Sequence, residues 1–132
     1  MTSRPDRWDE SATNEITGEI ISACITVHRE LGPGLLEAFY QRALTFELSA
    51  RGVTHDVERT FPVTFRGLVL GHQRIDLVVD ERVIVELKAV DRIGPVHVAQ
   101  AISYLRATGL HVALLINFNV PVLKAGIRRI VL

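Results

Sequence analysis

Two short runs of nearly continuous apolar residues constrain this chain more than any other feature: Val83-Ile84-Val85-Glu86-Leu87-Lys88-Ala89-Val90, and Leu110 to Phe118 (LHVALLINF). Runs of this length, rich in aliphatic side chains and bounded by turn residues, are the mark of strands buried on both faces. A sheet covered on both faces needs helices above and below it, which makes the expected class α/β.

The rest of the chain supplies those helices. From Thr13, the residues Ile16, Ile20, Ala23, Val27 and Leu31 recur at three- and four-residue spacing. They mark one buried helical face, with Thr13 or Asn14 as its cap and Gly32-Pro33-Gly34 as its stop. A second helix is expected from about Leu35 to Arg51, with Leu36, Phe39, Tyr40, Ala43 and Leu44 inward and Gly52 at its end. Val53 to Phe65 turns to β alternation, Arg66-Gly67 reads as a turn, and Leu68 to Val79 as a second strand bent at Gly71. Asp80-Glu81 connects tightly to the first apolar run, completing a three-strand meander. Pro95 opens a third helix, about Val96 to Thr108, with Val98, Ile102 and Leu105 inward. After Gly109 comes the second apolar run, and Arg128 to Leu132 reads as a short edge strand. The order is ααβββαββ.

The 132 residues fit one domain, 13–132, preceded by a flexible N-terminal arm, 1–12. No apolar run approaches the ~20 residues of a membrane span. Met1 to Glu10 is polar and has no apolar stretch of the kind a secretory signal carries. Cys24 is the only cysteine, which excludes an internal disulfide and a multi-cysteine zinc site; its place near a helical apolar face reads as that of a small buried hydrophobe. Together these features favour a cytoplasmic setting. The formal net charge is zero, so a basic excess does not advertise nucleic-acid binding. Thirteen of the fifteen basic side chains are arginine; Lys88 and Lys124 are the only lysines, so a lysine in the middle of an apolar strand stands out.

That lysine belongs to a cluster. In a strand, Glu86 and Lys88 lie on the same face. Charged groups near a sheet centre are costly to bury unless they are paired or bound to a metal. Asp76 repeats the anomaly on the preceding strand. Pairing about the Asp80-Glu81 turn sets Asp76 roughly opposite Glu86. Two adjacent carboxylates repel, which favours a cation between them, and hard oxygen ligands suit Mg²⁺ or Mn²⁺. The competing reading of Glu86 and Lys88 is an ion pair satisfied within the strand. On the third helix His97, Gln100 and Tyr104 share a face distinct from the apolar stripe. On the second, Glu37 and Tyr40 share another. Glu37 also suits a helix start, where the dipole favours a carboxylate. Tyr104 and Tyr40 fit core packing as well as a site. The other histidines, His28, His55, His72 and His111, show no mutual ligand spacing and read as structural or surface residues.

Asp76 followed by Glu86-Leu87-Lys88 resembles the D-x(n)-(D/E)-x-K signature of the PD-(D/E)-x-K nuclease superfamily. The element order resembles its restriction-endonuclease-like αβββαβ core, a mixed sheet flanked by helices, here with an extra N-terminal helix. Gln100-Ala101-Ile102-Ser103-Tyr104 resembles the Q-x-x-x-Y motif of an exonuclease-like branch. Gly34-Leu35-Leu36-Glu37-Ala38-Phe39-Tyr40 is similar to the G-x-x-E-x-x-Y motif that names the small GxxExxY proteins, as are His97-Val98-Ala99-Gln100 and Leu114 to Phe118 to other parts of that family. The residue before Asp76 is Ile75 rather than proline. The resemblance implies a Mg²⁺- or Mn²⁺-dependent hydrolysis of nucleic acid, DNA ahead of RNA. It implies Asp76, Glu86, the Leu87 carbonyl and Glu37 as metal ligands, and Lys88 as the group that orients water or stabilises charge at phosphorus. Gln100 and Tyr104 would position water or phosphate, with His97 and Tyr40 alongside. A core this small grips nucleic acid poorly, so a homodimer or other partner would complete the grip. The alternative is a non-catalytic binding or assembly protein that retains the fold.

Overall fold

The computed structural model describes residues 9–132. Helix α1 (Glu10–Leu31) and helix α2 (Glu37–Ala50) come first. Strands β1 (His55–Phe65), β2 (Leu68–Val79) and β3 (Val83–Lys88) follow, then helix α3 (Pro95–Thr108), β4 (Val112–Asn117), a 3₁₀ turn at Leu123–Gly126, and β5 (Ile127–Val131). The five strands form one mixed sheet in the order β1-β2-β3-β4-β5. Only β3 and β4 run parallel, joined by the α3 crossover; the other pairs are antiparallel. This is the α/β class and the αβββαβ core read from the sequence, with α1 as the additional N-terminal helix.

The two apolar runs are the centre of the sheet, and their alternate residues serve two cores. Val83, Val85 and Leu87 of β3 and Val112, Leu114 and Ile116 of β4 meet α1 and α2 through Ile20, Ala23, Val27, Tyr40, Leu44 and Leu48. Ile84, Ala113 and Leu115 face the other way, onto Ala101, Tyr104 and Leu105 of α3. Cys24 is buried in the first core, and burial pushes its thiol pKa far up, which leaves it inert. No helix among the described residues is long and apolar enough to cross a membrane.

Several expectations shift. Helix α1 starts at Glu10, not Thr13, because Asp9 accepts a hydrogen bond from the Ala12 amide at 3.1 Å and caps it. Residues 9–12 of the expected arm are therefore the cap and first turn of α1, and residues 1–8 lie outside the described residues. On α2, Leu36 and Phe39 are exposed; the buried face is Tyr40, Leu44 and Leu48. On α3 the buried set is Ala101, Tyr104 and Leu105, so Ile102 is only partly covered. The helix is rotated so that Gln100 reaches the sheet and the small Ala101 faces the core.

The turns follow local chemistry. Asp80 and Glu81 both take positive φ, +53° and +54°, and the Arg82 amide closes the turn on the Val79 carbonyl at 2.9 Å. That is the twist a tight hairpin needs. Glu81 is held there by Arg59. Gly126 meets a different demand. A Cβ on it would lie 2.1 Å from the Asn117 carbonyl oxygen, so the 3₁₀ turn can close on the end of β4 only without a side chain. Gly126→Ala should therefore lower stability by about 2–3 kcal/mol in denaturant unfolding, the cost of forced overpacking. A wild-type midpoint would contradict this packing.

Candidate active site

Strands β2 and β3 pair at Val79↔Val83, Val78↔Ile84 and Leu77↔Val85. The next position would bring Asp76 against Glu86, and there side chains replace the backbone ladder. The Asp76 amide donates to Glu86 Oε2 at 2.8 Å, and the Leu87 amide donates to Asp76 Oδ2 at 2.9 Å. Each acid is thus held by the backbone of the other's strand. The bonds fix both carboxylates on the sheet surface beneath α3, at the C-terminal end of β3.

Glu86 is only 3% exposed. Burial first, and the Asp76 charge second, push its pKa up to about 7; the Asp76 amide and Lys88 oppose the shift. Asp76 is also raised, chiefly by burial, against the Leu87 amide and the Lys88 charge. Both shifts have the sign expected for desolvated neighbouring acids. Lys88 does not neutralise them by contact. Its ammonium donates to Gln100 Oε1 at 3.1 Å, and among the described residues it forms no salt bridge with either carboxylate. The reading of Glu86 and Lys88 as a satisfied ion pair on one strand therefore loses its geometric basis.

Side chains from two helices, α3 and α2, close over the end of the strand pair. Gln100 reaches Lys88 from α3. Tyr104, one turn further along α3, is buried, and its phenol is pushed up to about 12 by burial and by the Glu86 and Asp76 charges. Glu37 is the first residue of α2, and its Oε2 accepts from the Ala89 amide at 3.3 Å, just past Lys88. Its charge raises both Asp76 and Glu86, so it belongs to the same electrostatic cluster.

The structure explains how Glu37 arrives there. Gly34 takes φ +102°, a conformation that favours glycine. The Tyr40 hydroxyl donates to the Gly32 carbonyl at 2.6 Å and accepts from the Leu35 amide at 3.1 Å. Tyr40 itself is buried and stacks on Phe118, ring centroids 4.5 Å apart. Glycine bends the α1–α2 link, tyrosine fastens it to the core, and the acid between them is presented at the sheet edge. Tyr40, expected beside a substrate, is instead a staple. Its hydroxyl is spent on the backbone, and its ring has no exposed surface.

His97 also has local employment: its Nδ1 accepts from the Gly94 amide at 2.9 Å, closing the first turn of α3. Asn117, which the sequence reading left without a role, is 2% exposed and grips Val90 on both sides. It donates to the Val90 carbonyl at 2.8 Å and accepts from the Val90 amide at 3.1 Å. With the Phe118 amide on the Lys88 carbonyl at 2.9 Å, it pins the chain that leaves the Glu86–Lys88 segment. Its signal in the sequence was a lone amide ending an otherwise apolar buried strand.

A family description, the PD-(D/E)XK nuclease superfamily, matches residues 14–130. The chain belongs to the PD-(D/E)XK nuclease superfamily. Comparison with curated proteins and with solved structures gave no match. As expected of a PD-(D/E)XK protein, Asp76 and Glu86-Leu87-Lys88 lie side by side on the second and third strands of the meander. No three His, Cys, Asp or Glu side chains among the described residues gather closely enough to hold a metal by themselves. The donors gathered here are two carboxylates beside backbone carbonyls, hard oxygens of the kind Mg²⁺ takes.

The raised acids have a measurable consequence in metal-free buffer. The folded chain keeps a proton on Glu86 that the unfolded chain, with its ordinary value of 4.5, has already released. Stability is then greatest below about pH 4.5 and falls as pH rises through 7, by roughly 3 kcal/mol for this group. Glu86→Gln should flatten that slope and be the more stable form at pH 8 in chemical denaturation with EDTA. Parallel pH profiles for the two proteins would contradict the burial of this charge.

Proposed function

We propose that this chain is a divalent-metal-dependent nuclease that hydrolyses phosphodiester bonds, with DNA ahead of RNA as substrate. The observation that carries the reading is the crossed bonding of Asp76 and Glu86. It fixes the buried Glu86 beside the half-buried Asp76 with no cation in contact among the described residues, which is stable in charged form only with positive charge nearby. Asp76, Glu86 and the Leu87 carbonyl would hold Mg²⁺ or Mn²⁺, with Glu37 acting on it through an intervening water rather than as a direct third acid. When bound, the ion supplies Lewis acidity at the phosphoryl group.

The remaining work falls to the chain's own residues. Lys88, anchored by Gln100, points a positive charge toward the space above the acids, where it orients the attacking water and stabilises charge developing at phosphorus. Tyr104 stays protonated across the neutral range and so serves as a hydroxyl donor to water or to a phosphate oxygen. Tyr40, in this proposal, acts only through the placement of Glu37. The Gly34, Glu37 and Tyr40 arrangement supports assignment to the GxxExxY group within the superfamily.

A second reading, a non-catalytic binding protein that keeps the fold, draws on the exposed Leu36, Phe39 and Phe46 of α2, which offer an apolar stripe to a partner. Cleavage assays separate the two. With Mg²⁺ or Mn²⁺ and labelled single- and double-stranded DNA and RNA, wild type should cut. Asp76→Ala, Glu86→Ala and Lys88→Ala should each lose on the order of a hundredfold or more in rate. Mg²⁺ should raise the melting temperature of wild type and not of Asp76→Ala. Lys88→Ala cutting as fast as wild type would remove the catalytic assignment, and inert wild type with no metal shift would favour the second reading.

A further inference from the structure

We propose that the β1–β2 ribbon is a nucleic-acid-binding arm that holds the substrate backbone beside Asp76 and Glu86; the proposal rests on the nuclease reading of that pair. Only Leu77–Val79 of β2 pair with β3, so from Leu68 to Asp76 the strand has β1 as its sole ladder partner. That is roughly 30 Å of two-stranded ribbon. Its root is tied to α3 where Ser103 Oγ meets Gln73 Oε1 at 3.4 Å and where Phe61 packs into the α3-side core. The outer half runs free, and its register slips by one residue at Val63/Thr64, a bulge that bends the tip.

The charge along this ribbon departs from that of the whole chain. Between Arg59 and Ile75 there are three arginines and one histidine and no acidic residue, in a protein whose formal net charge is zero. Arg59 is answered by Asp56 and Glu81 at the root. The outer cations are Arg66, which lies 5.1 Å over the Phe65 ring, and Arg74, which is exposed and has Glu58 only at 3.9 Å. A local cationic stretch on a neutral chain fits a polyanion. Arg74 is two residues from Asp76, and its charge acts on that carboxylate. A strand bound along the ribbon is therefore delivered to the acids.

The tip adds the second half of the grip. Phe65, Leu68, Val69 and Leu70 are all exposed there. Apolar and aromatic side chains beside arginines are the means by which proteins lie against sugars, stack on bases or wedge between them. A two-stranded ribbon also fits the width of the DNA major groove. A second copy of the chain is disfavoured as the occupant. The outer edge of β1 carries Pro62, which has no amide to offer to sheet extension.

The test uses the full chain in EDTA, with short fluorescent duplex and single-stranded DNA read by anisotropy over a salt series. The Arg66→Glu/Arg74→Glu double variant should bind on the order of tenfold more weakly, and the slope of log affinity against log salt should fall by about 2. Phe65→Ser/Leu68→Ser should weaken binding with the slope unchanged. All four positions are exposed, and melting curves check that the variants stay folded. Unchanged affinity and slope in the charge-reversal variant would overturn the arm. So would tip variants that turn a dimer into a monomer in sedimentation while DNA binding persists. The outcome is separable from the fate of the nuclease reading. A protein that responds to Mg²⁺ and cuts, with an indifferent ribbon, removes the arm alone. One that binds through the ribbon but neither responds to metal nor cuts removes the nuclease reading alone.

Discussion

The exchange of carboxylate-to-amide bonds between β2 and β3 is the interaction on which the rest of the site depends. In an ordinary antiparallel pair, Asp76 and Glu86 would meet as one more rung of backbone bonds. Here Asp76 accepts from Leu87 and Glu86 accepts from Asp76, so the rung is made of side chains. Charged hydrogen bonds of this kind are worth about 1.5–3 kcal/mol each. They offset part of the burial penalty and fix the rotamers of both acids. They remove neither the rest of that penalty nor the repulsion, and burial first and the Asp76 charge second keep the Glu86 pKa raised to about 7. In the nuclease proposed above, a pair held this way would meet a small hard cation with both rotamers already fixed.

Around that pair, each further element supplies one group and is itself anchored by unglamorous chemistry. Glu37 arrives because Gly34 bends and Tyr40 fastens the α1–α2 link. Lys88 is aimed because Gln100 stands over it and Asn117 clamps the chain that follows. The residues that hold the geometry are neutral, with Tyr40 and Asn117 buried among them, whereas the charged groups they place are gathered at one end of β3. This division is what a rigid scaffold for a polar site requires.

Much of this was legible in the sequence because strand arithmetic is unforgiving. Two apolar runs demanded central strands, and counting across the Asp80-Glu81 turn set Asp76 against Glu86 before any coordinates. The helical faces were less legible. Leu36 and Phe39 continue an apolar stripe that α2 does not bury, and on α3 the need to bring Gln100 to Lys88 outweighs the coverage of Ile102. Tyr40 was grouped with the site because it shares a face with Glu37. Spacing cannot tell a residue that points at a substrate from one that holds its neighbour in place. His97 has a local partner as well: three residues into α3, its Nδ1 bonds the Gly94 amide of its own first turn. Asn117 went unassigned because its partner, Val90, is brought to it only by the parallel β3–β4 register.

The backbone around Asp76 shows why the exchange occurs at this position and no other. Ile75 and Val78 differ in parity, yet both bury in the α3-side core, while Leu77 and Val79 face the opposite core. A regular strand would place Ile75 with Leu77. The strand must therefore turn over between them, at Asp76. Its neighbours permit this. On the β3 side the ladder has ended at Leu77↔Val85. On the β1 side the pairs run from Val57↔Leu77 to Arg59↔Ile75 and skip the rung between, where Glu58 takes φ +56°. A left-handed non-glycine residue costs on the order of 1–2 kcal/mol. In return, β1 releases β2 at one residue, and that residue can rotate its amide toward Glu86. One strained residue on an edge strand thus stands opposite the crossed carboxylates and frees the rung they need.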